Sequence, residues 1–134
     1  MFPDSNGNMG RVQALDLENR EFDWIHRQPS PVISSILATA GGLVFAGDLN
    51  RNFRAFNDET GEILWEGIMD DVPSSNIITY AVDGVQYLAI VVGQTGYHVY
   101  DWTRMYDLFA EPEGMPVNDA PKGGAAIWVY ALSQ

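Results

Sequence analysis

Gln13-Ala14-Leu15-Asp16-Leu17-Glu18-Asn19-Arg20-Glu21-Phe22-Asp23-Trp24 and Arg54-Ala55-Phe56-Asn57-Asp58-Glu59-Thr60-Gly61-Glu62-Ile63-Leu64-Trp65 are two copies of one phrase, 41 residues apart (65 minus 24). In the second copy Phe53 and Ala55 stand on one side, and Ile63 and Trp65 on the other, of the polar run Asn57 to Gly61. Two short strands around a turn whose glycine can take positive φ make a β-hairpin. Each copy ends on a tryptophan, a large apolar plate that can wedge between neighbouring sheets of a radial array. A period of roughly 40 to 50 residues closing on Trp is what four-stranded propeller blades produce. Two unrelated hairpins would not keep Ala, an acidic or amide residue, and Trp in register.

Outward from this phrase the chain reads as all-β. Met1 to Gly10 is loop-like in composition, and Val12 to Leu17 with Glu21 to Ile25 form a first hairpin, so residues 10–25 supply half a blade. After Pro29-Ser30-Pro31, four strands are expected at Ile33–Thr39, Leu43–Asp48, Phe53–Phe56 and Glu62–Trp65, one complete blade over residues 33–66. Ile77–Val82 and Val85–Val92 pair across Asp83-Gly84, a strong hairpin signal. Residues 93–122 hold scattered glycines, prolines and aromatics and read as a long packed loop, with one or two helical turns at Trp102 to Phe109. Ala125 to Leu132 is again a strand, the third of its blade, with Tyr130-Ala131 near the place of Phe56-Asn57. Residues 77–132 thus form an incomplete last blade. The whole is a single partial propeller domain over residues 1–134, two to three blades of four-stranded antiparallel type, not a closed ring.

Composition narrows the function. Seven Lys and Arg against 18 Asp and Glu give a formal charge of −11, which repels phosphate backbones and argues against nucleic acid as a partner. An acidic surface steers cationic partners, or simply keeps the chain soluble. There is no cysteine, hence no disulfide and no thiolate metal site. Apolar runs such as Tyr87 to Val92 fall far short of the roughly 20 residues of a membrane span, and Met1 to Gly7 lacks the basic head and apolar segment of a signal peptide.

The residue types that carry chemistry do not assemble into a site. Asp58-Glu59 and Asp70-Asp71 fall in turns, where carboxylates cap backbone N–H groups. His26 and His98 lack metal-ligand spacing, Gly41-Gly42 precedes no helix, and Ser34-Ser35 lacks a nucleophile elbow. No catalytic residue and no metal ligand is expected in this chain. Trp102, Met105, Tyr106 and Met115 are expected to cluster, either as core or as a contact surface for a missing blade.

Leu37-Ala38-Thr39-Ala40-Gly41-Gly42-Leu43-Val44-Phe45-Ala46-Gly47-Asp48, then Arg51, Phe53, Ala55 and Thr60-Gly61-Glu62-Ile63-Leu64-Trp65-Glu66, resemble the C-terminal part of the quinoprotein dehydrogenases. These are methanol and alcohol dehydrogenases that use pyrroloquinoline quinone (PQQ) and are built as eight-bladed propellers. Thr79-Tyr80, Asp83 to Ala89, Gly93, Gly123-Gly124 and Ile127 to Leu132 continue the resemblance in order. It implies alcohol or aldehyde oxidation with PQQ and calcium or another metal ion, electron transfer to a c-type cytochrome, and a periplasmic location. It also implies that the metal ligands, the catalytic aspartate and the basic residue at the quinone belong to earlier blades, and that the last blade is completed by an N-terminal strand. Neither PQQ nor metal is then expected to bind this chain alone, and no cofactor-binding residue can be named. Val32-Ile33 stands where the methanol and ethanol enzymes tend to carry Trp-Asn, which bears on substrate class. Tyr97, after Gly93-Gln94-Thr95-Gly96, stands where alcohol-oxidising relatives place an aromatic at the substrate pocket. The expected role is architectural, closing the propeller and the cofactor tunnel. The other reading is a stand-alone repeat module that binds a protein partner or another copy of itself.

Overall fold

The computed structural model describes residues 5–93, 97–113 and 124–132. Among the described residues nine strands form three antiparallel sheets, none closed on itself. They are β1 (Gly10–Leu15) with β2 (Phe22–Gln28); β3 (Leu37–Ala38), β4 (Leu43–Gly47), β5 (Asn52–Asn57) and β6 (Ile63–Ile68) in that order; and β7 (Pro73–Val82), β8 (Val85–Gly93) and β9 (Ala125–Leu132) in that order. Helix α1 (Tyr97–Glu113) connects β8 to β9.

The two copies of the phrase match pair for pair. Ala14 faces Trp24 and Ala55 faces Trp65, and both hairpins shift register at the next step, where Leu15 faces Phe22 and Phe56 faces Ile63. Both turns are held by the side chain at their first residue. Asp16 accepts the backbone N–H groups of Glu18 (2.7 Å) and Asn19 (3.3 Å), while Asn57 accepts those of Glu59 and Thr60, each at 2.9 Å. The left-handed residue is Gly61 (φ 71°) in one and Arg20 (φ 59°) in the other. Arg20 takes this conformation at a steric cost that glycine avoids.

The inner strands β4 and β5 of the four-stranded sheet are covered on both faces, which explains why β4 is apolar at every position. One face gives Val44, Ala46 and Phe56 to a cluster with Val12 and Trp24 of the first sheet. The other gives Phe45, Phe53 and Ala55 to a cluster with Ile77, Leu88, Ile90 and Val92 of the third. Alternation along each strand, with period two, therefore serves two interfaces at once.

Strand ends move by a few residues, as where β7 begins at Pro73 and not Ile77, and two elements differ in kind from the sequence expectation. The strand expected at Ile33–Thr39 pairs only over Leu37–Ala38, because Ser34 and Ser35 divert the backbone. Ser34 Oγ accepts the Gly47 N–H at 2.8 Å in place of a ladder bond to β4, and Ser35 Oγ accepts the Ile77 N–H at 2.8 Å, which ties the second sheet to the third. The segment read as a loop with one or two helical turns contains a 17-residue helix, Tyr97–Glu113. Val99 and Tyr106 bury one side of it against Leu49 and Val72, with Met9 and Ile33 beside them. Those four residues lie in or beside the connections at one end of the sheets, so α1 caps that end.

Candidate functional site

The best-defined functional geometry is the junction between consecutive sheets. Trp24 leaves the first sheet with its Nε1–H donating to the Asp58 carbonyl at 2.7 Å, and its ring lies near Phe56, with centroids 6.2 Å apart. A Cβ placed on Gly61 would come within 2.6 Å of that indole. Gly61 is thus required twice, for its positive φ and for the ring that lies on it. The tryptophan of one hairpin docks on the turn of the next.

Trp65 holds the same place one hairpin later and faces the third sheet. It packs edge-on against Tyr130 (5.3 Å) and Phe53 (6.3 Å) and remains 42% exposed. Beside it, between the second and third sheets, opens a cleft of about 370 Å³ lined by Leu43, Phe45, Phe53, Leu64, Trp65 and Tyr130, among others.

A second, polar junction ties the first sheet to the second. Asp48, 1% exposed, accepts from Arg54 Nη1 at 2.7 Å, Gln28 Nε2 at 3.2 Å, Asn52 Nδ2, and the backbone N–H groups of Asn50 and Asn52. Arg54 also donates to Gln28 Oε1 and pairs with Glu66. A buried carboxylate supplied with this many donors is a structural clamp. His26 lies beside it, its ring 5.1 Å from Phe56, and burial together with the Arg54 charge holds its imidazole below the ordinary range.

At the end capped by α1, Asn50 Nδ2 donates to the Tyr106 hydroxyl at 3.3 Å, and burial pushes that phenol above its usual value. Asp71 is buried, with one carboxylate oxygen on the Val72 N–H at 2.7 Å. Its other oxygen, and Asn50 Oδ1, have no hydrogen-bond partner among the described residues.

The residues singled out from sequence fare unevenly. Tyr97 opens α1, but its side chain, like that of His98, lies outside the described residues, as does Met115. The expected Trp102, Met105 and Tyr106 cluster divides: Tyr106 is fully buried, while Met105 and Trp102 are exposed. Val32 makes a bridge to Asp48, and Ile33 packs beside Leu49 and Val72. Of the turn residues, Asn57 does the capping, and Asp58 contributes its carbonyl to Trp24. Sequence reasoning missed Asp48 and Gln28. Their signal was a lone acid after an apolar strand and an amide 20 residues earlier, with no spacing rule to join them.

The sequence pattern of the glucose/ethanol/alcohol dehydrogenase β-propeller domain, the PQQ family, matches residues 5–88. The chain belongs to this family. It is 36% identical over 125 residues to a quinoprotein ethanol dehydrogenase of Pseudomonas aeruginosa, covering 93% of this chain and 19% of that protein. A 1-butanol dehydrogenase (cytochrome c) of Thauera butanivorans is 34% identical over 94 residues, covering 70% and 14%. Among solved structures, a europium-containing methanol dehydrogenase aligns with a TM-score of 0.68 at 25% identity, over 91% of this chain and 23% of that one. The chain therefore spans less than a fifth of the length of these two curated relatives.

The quinoprotein family implies PQQ and a metal ion beside it. Among the described residues no three His, Asp or Glu side chains come together as a metal-ion ligand set. Asp48, the most buried acid among them, has its oxygens taken by Arg54, Gln28, Asn50 and Asn52. This donor set does not fit a metal–quinone site.

Proposed function

We propose that this chain is the C-terminal propeller segment of a PQQ-dependent dehydrogenase that oxidises an alcohol or aldehyde in the periplasm and passes electrons to a c-type cytochrome. Its role is architectural: it closes the propeller and walls the cofactor tunnel, and it is not catalytic alone. The observation that carries this reading is the Trp24 junction, which docks the tryptophan of one hairpin on the turn of the next and stacks successive sheets as a repeat array does. The short span of the chain against its relatives supports the same reading. Tyr97 lines the substrate pocket in the assembled enzyme.

The test is complementation. A relative's dehydrogenase lacking the equivalent segment is co-expressed with this chain, loaded with PQQ and calcium, and assayed by alcohol-dependent dye reduction. Restored turnover that neither part gives alone is the expected outcome. Turnover by this chain alone, or no restoration despite a stable complex, would sink the proposal.

The alternative is a stand-alone module that self-assembles, and the uncovered apolar faces at both ends of the array favour association of some kind. Strand count opposes a ring of copies that share blades. A two-stranded end and a three-stranded end bring five strands to a junction that holds four in the complete sheet.

A further inference from the structure

We infer that Trp65, Trp128 and Tyr130 form a redox relay: the hole that a soluble one-electron oxidant leaves on either indole passes to the Tyr130 phenol, which ends as a tyrosyl radical. This goes beyond the segment reading and does not rest on it, because all three residues belong to this chain.

The first argument is contact. The Tyr130 ring touches both indoles, with its centroid 5.3 Å from Trp65 edge-on and 5.9 Å from Trp128 in a stack. Both separations fall in the roughly 4.5–7 Å range of packed aromatic pairs. An electron that moves between rings in contact needs no further carrier. Buried Phe53 backs the group, packing on Trp65 at 6.3 Å and on Tyr130 at 6.1 Å, and Phe45 stacks on Phe53 in turn. A benzene ring is far harder to oxidise than an indole or a phenol. This floor therefore fixes the relay without joining it.

The second argument is contrast within the chain. Trp24 holds the place of Trp65 one hairpin earlier, but it stacks on Phe56 and its N–H is tied to the Asp58 carbonyl. A hole left there meets no phenol ring among the described residues. Tyr80 and Tyr87 stack on each other at 5.4 Å, on the face of the third sheet opposite to Leu88. That pair has phenols and no indole. Among the described residues, indole and phenol rings meet at the Trp65 junction.

The third argument is that the step balances with what lies there. Trp65 is exposed, so the oxidant takes one electron from its indole, and the N–H proton goes to water. The indolyl radical then takes an electron from Tyr130 and a proton from water, while the phenol O–H breaks and releases its proton to water. The net change is one electron to the oxidant and one proton from the phenol to solvent. Burial, and the Asp70 charge after it, hold the phenol above its usual pKa, so it is protonated at neutral pH and loses that proton as it is oxidised. A phenoxyl radical is restored by a small reductant. An indole oxidised as far as ring opening is not, and its junction would lose its packing.

The test is flash photolysis of the full chain with photogenerated ruthenium(III) tris-bipyridine as the oxidant. The tryptophanyl absorbance is expected to decay as the tyrosyl absorbance grows, at a rate independent of protein concentration and slower in deuterium oxide. Tyr130→Phe, which keeps the ring, removes this phase. Trp65→Phe combined with Trp128→Phe removes it as well, whereas Trp24→Phe leaves it intact. A nitroso spin trap on the unsubstituted chain, followed by peptide mapping, gives a second reading that no misfolded variant can confuse. The adduct is expected on half-buried Tyr130 and not on the more exposed Tyr100 or Tyr80. The inference is overturned by the absence of the phase, by its survival in Tyr130→Phe or in the paired tryptophan variant, by a rate that rises with protein concentration, or by adducts that follow exposure alone.

Discussion

Gly61 and Asp48 are the residues on which the junctions depend, and each predicts a measurable loss. Gly61→Ala forces a Cβ into the Trp24 ring at a positive-φ position, so the cost is steric on two counts, about 2 kcal/mol or more. Urea unfolding reads it, and Trp24 fluorescence shifts to the red as the indole leaves its site. Removing Asp48 leaves the Arg54 guanidinium, 11% exposed by its side chain, with only Glu66 and Gln28. Stripping one partner from a buried pair costs about 3 kcal/mol, so Asp48→Ala lowers the urea midpoint well beyond a surface Asp→Ala such as at the exposed position 23. His26 adds a pH dependence of defined sign. Its folded-state pKa is depressed below 6.5 by burial and by Arg54, against smaller opposing effects of Glu66 and Asp48. The unfolded chain therefore takes up the proton first, and this contribution to stability is whole above pH 6.5 and drains as pH falls from there toward the folded pKa. The difference in urea midpoint between about pH 7.5 and about pH 5.5 shrinks in His26→Gln; an unchanged difference would assign the slope elsewhere.

Helix α1 shows what packing adds to an element that local sequence leaves undeclared. Its amphipathic stripe is short, Val99, Thr103 and Tyr106, and Pro112 lies in its last turn, so composition alone suggests a loop. What makes it a helix is the apolar patch of Leu49, Val72, Met9 and Ile33, drawn from connections far apart in sequence. Tyr106→Ala therefore costs more than its own contacts: it removes about 3–5 kcal/mol of burial and orphans Asn50 Nδ2. The expected outcome is protease cleavage within residues 97–113 while the sheets stay intact by circular dichroism. Tyr106→Phe, which keeps the ring, separates the hydrogen bond from the packing. The hairpins were legible in advance because Asp16, Asn57, Gly61 and Asp83-Gly84 declare their turns locally. The serine diversion at β3, the Asp48 clamp and α1 were not, because each is set by a partner at least a dozen residues away.

At the scale of the molecule, two forces oppose each other across the open faces. The outer face of the third sheet exposes Ile78, Tyr80, Val82, Val85, Val91, Ile127 and Val129, and the outer side of the first exposes Leu15, Phe22 and Ile25. Apolar faces of this kind draw molecules together. The formal charge of −11 pushes them apart at long range, over about 30 Å at 10 mM salt but only about 3 Å at 1 M. The apolar attraction is not screened by salt. Association of the isolated chain must therefore rise with ionic strength, the reverse of what a salt-bridged interface does, and light scattering from about 10 mM to about 1 M sodium chloride reads it directly. Ile78→Lys with Val129→Lys places two cations on the third sheet's outer face without touching the buried clusters. This pair should hold the chain monomeric at high salt, leave the urea midpoint nearly unchanged, and abolish complementation of the truncated dehydrogenase. Continued complementation by the double variant would mean that the neighbouring blade does not pack on this face.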